Sequence, residues 1–298
     1  MLFRSIDVQE LISKVKTLKI YDFLIILTIL IFQLLILSYR WMLLLNILKL
    51  QVGFMNLLKI LWSGMFFNQI MPSSFGGDVF RVLIAMKNNI SGSTITSSII
   101  MERIIGLSMM SLLSVFPIFL INEKFSSGLK YIILVVPLLI LLLNILLYFL
   151  NDAFKKILHF EVLKKIIFEI HNYWNNFFSN PKIFFKILFL TLIIHFCTFY
   201  IVYYLFRTFD YNINFLLIIY VMPIALIISS LPISVAGWGI RETVMVGSFL
   251  LFQIPSEIST AVGITFGIML ILFSLPGGFI FLFLKKSKSK MYNKTDGK

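Results

Sequence analysis

The chain has 298 residues, of which 59% are hydrophobic and 13% charged, and its net charge is +13. A soluble domain carries about 25% charged residues, so the polar surface here is too small to coat a water-soluble globule. Continuous apolar runs, rather than alternation over ~10-residue units, count against a β-barrel, and the lysines sit in loops and tails, where they set topology and meet anionic lipid headgroups rather than nucleic acid.

The first residues hold Arg4, Lys14, Lys16 and Lys19 ahead of an apolar run. That run is too long for a signal-peptide core and lacks a small-residue cleavage site, so it reads as an anchor. A helix needs ~20 apolar residues to cross ~30 Å of hydrocarbon. Charge-poor runs predict spans at 23–39, 54–71, 95–121, 131–150, 183–206, 214–231 and 257–284, with a shorter eighth at 240–254. Glu102 and Arg103 interrupt the third, and Arg241 and Glu242 begin the shortest. The run 211–240 is free of charge over thirty residues. As one helix it would be about 45 Å long, too long for the bilayer without strong tilt, and Pro232, Gly237 and Gly239 predict that it breaks.

Between 151 and 182 the apolar residues recur at helical spacing, with lysine pairs on the other face and aromatics following. This pattern suits either a helix lying in the membrane interface or a solvated connector. The N-terminal tail, the 151–182 segment and the tail after Leu284 are all basic and read as cytoplasmic. The chain is thus expected to be a multi-pass protein of the plasma membrane with both termini inside and eight crossings. Cys197 lies alone in an apolar run, and His159, His171 and His195 form no ligand spacing, so neither metal nor cofactor is expected.

Two stretches resemble one another. PSSFGGDVFR at 72–81 and PISVAGWGIR at 232–241 share Pro, Ser, Gly and Arg at a constant offset of 160 residues. The same offset lays 214–231 on 54–71, 183 onward on 23 onward, and 257 onward on 97 onward. Element order and spacing therefore repeat without a gap, as in an internal duplication. The expected fold is an all-α polytopic membrane protein forming one membrane domain. Its parts are a first pseudo-repeat at about 20–121, a linker span and interfacial helix at 122–182, a second pseudo-repeat at about 183–284 and a basic tail at 285–298. Each repeat carries a Pro/Gly-broken helix, re-entrant or crossing. The charge-based topology makes the repeats parallel and leaves an inverted arrangement open.

A break inside a membrane protein frees backbone N–H and C=O groups, tolerated only where protein or a water-filled cavity satisfies them. The helices restarting after Gly77 and Gly237 would aim N-terminal N–H groups into that cavity, which favours anions. Arg81 and Arg241 stand near those restarts. Asp78, Glu102 and Glu242 are the acids nearest the motifs, and charges in spans are costly unless paired. Adjacent residues on a helix do not face each other, so the pairs are expected across helices, for instance Glu102 with Arg81 or Arg241. The alternative is that these charges only brace the repeats. Asn68 precedes the first break and can bond either the freed backbone or a headgroup.

These residues resemble a known family. The N-x3-P-x3-GGD-x2-R element from Asn68, the ER-x2-G element at 102–106 and LPIS-x2-G-x-G-x-RE at 231–242 are similar to the lysylphosphatidylglycerol synthase transmembrane region, a flippase-like membrane domain. The resemblance spans about 23–284. It implies translocation of an anionic phospholipid or polyprenyl-linked headgroup between leaflets, and carries over to Gly76, Gly77, Asp78, Arg81, Glu102, Arg103, Gly237, Gly239, Arg241 and Glu242. Ala236 departs from it, where a second Gly is common. Larger relatives add a soluble aminoacyltransferase domain, which the tail after Leu284 is too short to house, so any synthase is expected as a separate partner. A membrane enzyme or accessory subunit of lipid modification is the alternative. Against the enzyme stands the absence of a His–Asp set, an activated nucleophile or a strand-linked nucleotide loop.

Overall fold

The computed structural model describes residues 17–71, 75–87, 90–115, 160–230 and 239–284, with isolated helical positions at 135, 138, 139 and 142. Among the described residues the elements are helices: α1 (Ile20–Ile47), α2 (Phe54–Ile70), α3 (Gly76–Lys87), α4 (Gly92–Val115), α5 (Glu161–Ser179), α6 (Pro181–Thr208), α7 (Phe215–Ser229), α8 (Ile240–Leu250) and α9 (Ser256–Leu284). Four are long and apolar enough to cross a membrane: α1, α4, α6 and most of α9. The expected span 131–150 lies outside the described residues apart from the four isolated positions.

Helix ends follow local chemistry. α1 starts where the Asp22 carboxylate reaches back to accept the Lys19 backbone N–H at 2.9 Å. α6 opens with Pro181 in its first turn, and the Asn214 side chain accepts the Leu216 N–H at 2.9 Å to cap α7. The charge-free run does break: α7 ends at Ser229, and α8 begins after Gly239, whose φ is +78°. The first break is also present, because Met71 leaves α2 in an extended conformation and α3 restarts at Gly76. α1 is longer than the run 23–39 that predicts it. It continues through Arg40 and Trp41, which are buried, because Arg40 is paired inside the bundle and its charge does not end the helix.

One apolar core draws on all these helices except α5, joining Leu34 and Trp41 to Leu57, Phe80, Ile99, Val202, Met222, Phe249 and Phe266. α2 packs against α9, α4 against α7, and α1 against α6. The α2–α9 crossing is close: a Cβ on Gly277 would lie 2.1 Å from the Trp62 carbonyl oxygen. Trp62 Nε1–H donates to the Phe273 carbonyl at 2.8 Å across the same contact.

The α1–α6 seam carries a ladder of polar contacts. Tyr204 donates to Asp22 at 2.6 Å, Gln33 donates to Thr198 at 2.9 Å and to the Ile194 carbonyl at 3.1 Å, and Arg40 donates to Thr191 at 3.0 Å. Lys186 donates to the Tyr39 hydroxyl at 2.6 Å. Rising numbers on α1 meet falling numbers on α6, so the two helices are antiparallel. These are the helices that the 160-residue offset superposes, and they run in opposite directions, whereas parallel repeats require them to run alike.

The segment expected to lie in the interface forms α5, which buries Glu169, Ile170, Tyr173 and Phe177 against its neighbours. Glu169 accepts from Thr94 at 2.8 Å and from Ser97 at 2.7 Å. Tyr173 and Phe177 cluster with Leu44 near the end of α1, and with Ile187 of α6. α1 therefore separates Lys19 at its start from α5 at its far end, by roughly 35 Å at 1.5 Å per residue. Lys19 and the described part of the 151–182 segment thus stand at opposite ends of α1.

Candidate functional site

A cavity of about 210 Å³ is lined by residues of α1 to α4, among them Arg40, Gly64, Asn68, Gly77, Asp78, Arg81, Glu102 and Arg103. The first break builds its floor. Gly77 sits against α2 so closely that a Cβ would lie 2.2 Å from the Gly64 carbonyl oxygen. This contact requires glycine at 77 and brings the first turn of α3 under Asn68. The Asn68 Oδ1 accepts the Gly77 N–H at 2.7 Å, so of its two expected partners Asn68 takes the freed backbone.

Several backbone donors at the helix restarts have partners within the chain. The Asp78 and Val79 N–H groups both donate to the Phe75 carbonyl at 3.0 Å, in addition to the Gly77–Asn68 bond. In the second half, the Gly239 N–H donates to Glu242 at 2.8 Å. The cavity is lined in addition by charged side chains.

Five charged side chains make a continuous network. Arg81 forms a short ion pair with Glu102 and reaches Asp78 at 3.3 Å. Arg103 forms a short ion pair with Asp78, and Arg40 reaches Glu102 at 3.4 Å. The guanidinium carbon of Arg81 lies 3.9 Å from the centre of the Trp41 ring, and that of Arg103 lies 4.1 Å from the Phe75 ring. Such contacts favour a partly desolvated guanidinium. Glu102, Arg40 and Arg81 are all buried, and burial strengthens each pair while making any unpaired member costly. The expected cross-helix pairing of Glu102 with Arg81 is present.

The second half is built differently. Arg241 and Glu242 are both buried and pair with each other through Arg241 Nε–H to Glu242 at 3.1 Å. The expectation that neighbours on a helix cannot pair fails here. Both lie in the first turn of α8, where the Glu242 carboxylate folds back toward the N-cap and into reach of the Arg241 guanidinium. Arg241 also stands 5.3 Å from the Phe266 ring. Gly239, Arg241 and Glu242 are not among the residues lining the cavity. Gly76 is buried and faces Met71, and Gly237 lies outside the described residues.

Charge patterning passed over Arg40, Gly64 and Glu169. The signal for Arg40 was available: a charge within 28 consecutive helical residues. It was lost because a charge-free window stops at Tyr39 and assigns the next residue to the flank. Glu169 was hidden in a segment read as surface, and Gly64 has no motif of its own.

Comparison with known proteins agrees with the geometry. The chain is 27% identical over 249 residues to the UPF0104 membrane protein MJ1595 of Methanocaldococcus jannaschii, covering 76% of this chain and 74% of that protein. No solved structure is similar to the chain. Residues 1–277 match the family described as the lysylphosphatidylglycerol synthase TM region, and a membrane chain matched over that length belongs to this family.

Proposed function

We propose that the protein moves an anionic phospholipid or lipid-linked headgroup between leaflets, the headgroup entering the charged cavity while its chains stay in hydrocarbon. The observation that carries this reading is the buried Arg81–Glu102 and Arg103–Asp78 network around a cavity beside a broken helix. Intramembrane charges that are paired, buried and next to irregular backbone mark polar pathways. Arginine suits a phosphate because its planar fork pairs two oxygens.

The duplication supports the same reading. Under the 160-residue offset α1 to α4 correspond to α6 to α9. Helix contacts exchange with them: α2–α9 goes with α7–α4, α2–α3 with α7–α8, and α3–α4 with α8–α9. Together with the antiparallel α1–α6 seam, this supports two inverted units in one membrane domain, an arrangement suited to alternating access. In this reading the domain has eight crossings or re-entrant elements, the cavity lies among the first four, and Arg241–Glu242 is the corresponding element of the second unit, bracing the start of α8.

Reconstitution into liposomes tests this. Purified protein should expose a fluorescent anionic phospholipid of the inner leaflet to an external quencher, and Arg81→Ala should abolish that exposure in protein that still folds. Turnover of the lipid in place of movement would indicate an enzyme, and neither activity an accessory subunit.

A further inference from the structure

Four of the five charges around the cavity cancel. Asp78 and Glu102 balance Arg81 and Arg103, the residues that stand in the motifs. Arg40 is the fifth, and it leaves the lining of the cavity with one positive charge in excess. Proline and two serines occupy positions 72–74 of the break, so no further charge arises there. We infer that Arg40 is the residue that makes the cavity select an anionic headgroup, and that without it the site is neutral and indifferent to headgroup charge.

Its placement fits this role. Arg40 is buried and anchored at both guanidinium ends, by Thr191 at 3.0 Å and by Glu102 at 3.4 Å. The Glu102 contact is the loose one, since Glu102 is held more closely by Arg81. Among the described residues the Nε–H groups of both Arg40 and Arg81 are buried without a hydrogen-bond partner, which is costly and leaves both guanidiniums with unused donor capacity. The second half has no equivalent surplus. The position matching Arg40 is Tyr200, exposed on α6, and Arg241 is balanced by Glu242. The charge that sorts headgroups is therefore confined to the first four helices.

This inference rests on the lipid-translocation reading above, so its test has an arm that needs no transport. In liposomes, the rate for a fluorescent phosphatidylglycerol is divided by that for a fluorescent phosphatidylcholine. In detergent, glycerol phosphate is added and the shift in unfolding temperature is recorded. The wild type should favour the anionic lipid and be stabilised by glycerol phosphate. Arg40→Gln should lower the rate ratio about tenfold, the scale of one hydrogen bond to a charged group, and lose the thermal shift. Arg40→Lys should retain both.

The double variant R40Q/E102Q removes one charge of each sign and returns the lining to a single positive excess. It should recover the preference, and if R40Q does not fold, Arg40→Met, which also removes the charge, is read in its place. An unchanged ratio and shift in R40Q, or no preference in the double variant, overturns the inference. A wild type that moves no lipid but shows the glycerol phosphate pattern overturns the translocation reading and leaves the role of Arg40 standing.

Discussion

The two broken helices share a scaffold and differ in how they hold their arginine. At the first break Arg81 is shared between Asp78 on its own helix and Glu102 on α4, and a further arginine holds each acid. At the second break Arg241 has its acid next to it in the chain. The residues that the offset lays on Asp78, Glu102 and Arg103 are Trp238, Val262 and Gly263. Glu242 packs against Gly263, whose Cβ would lie 3.5 Å from the Glu242 side chain. The site of the Arg103 counterpart is thus filled by the acid that neutralises Arg241. Among the described residues, one half thus carries a network spread over three helices that lines a charged cavity, and the other a self-contained pair that does not line it.

The largest expected effect that would break this comparison concerns stability. Arg241→Ala leaves the buried Glu242 carboxylate facing the Gly239 N–H without its cation, a loss of about 3–5 kcal/mol for breaking a buried pair. Arg81→Ala leaves Glu102 with Arg40 and Asp78 with Arg103, so its cost should be smaller, about 1–3 kcal/mol. The order reverses for function: Arg81→Ala should stop lipid movement, whereas Arg241→Ala should retain it at temperatures where it is folded. Thermal unfolding in detergent and transport below both midpoints give the two readouts. Loss of transport in well-folded Arg241→Ala would make the halves functionally alike and end the distinction.

The glycines sharpen it next. Gly77→Ala drives a Cβ to 2.2 Å from the backbone of α2, and such overpacking costs about 1–3 kcal/mol. It should also displace Asp78, and with it Arg103, so transport should fall along with stability. At Gly239 an added Cβ would meet no atom of the described residues within 4 Å, but φ is +78°. Alanine there pays only for the left-handed backbone, about 1–2 kcal/mol, and transport should persist. The same unfolding and liposome measurements apply. Equal losses of transport would mean that the second break is as tightly built around a site as the first.

Much of this was legible in the chain because hydrocarbon imposes strict rules. Apolar length located α1, α4, α6 and α9, and Pro and Gly located both breaks. What escaped depends on partners distant in sequence. Arg40 resembles an interfacial flank until Glu102 and Thr191 are seen beside it. Glu169 reads as a solvated charge until α5 docks on Thr94 and Ser97. Lysine counts favoured parallel repeats and left an inverted arrangement open, and the contacts of Asp22 with Tyr204 and of Arg40 with Thr191 make α1 and α6 antiparallel. Side-chain patterning along one helix has no access to which helix lies beside it. For the same reason the acceptors of the Gly77, Asp78 and Val79 N–H groups, Asn68 and Phe75, are identifiable only once the turn is formed.

The smallest expected effect separates the two jobs that the first break performs. Asn68 holds the Gly77 N–H, and its counterpart under the offset is Ile228, which has no acceptor in its side chain. Asn68→Ala should cost about 1 kcal/mol, the net value of one such bond, and keep the preference for an anionic lipid, because the charges around the cavity are unchanged. Asn68→Asp retains an oxygen for the Gly77 N–H but adds a negative charge to a lining whose surplus is one positive charge. It should therefore keep more of the stability than alanine does and lose the headgroup preference. If Asn68→Asp instead sorts lipids as the wild type does, the balance of charge is not what the cavity reads, and the contrast between the two halves reduces to packing alone.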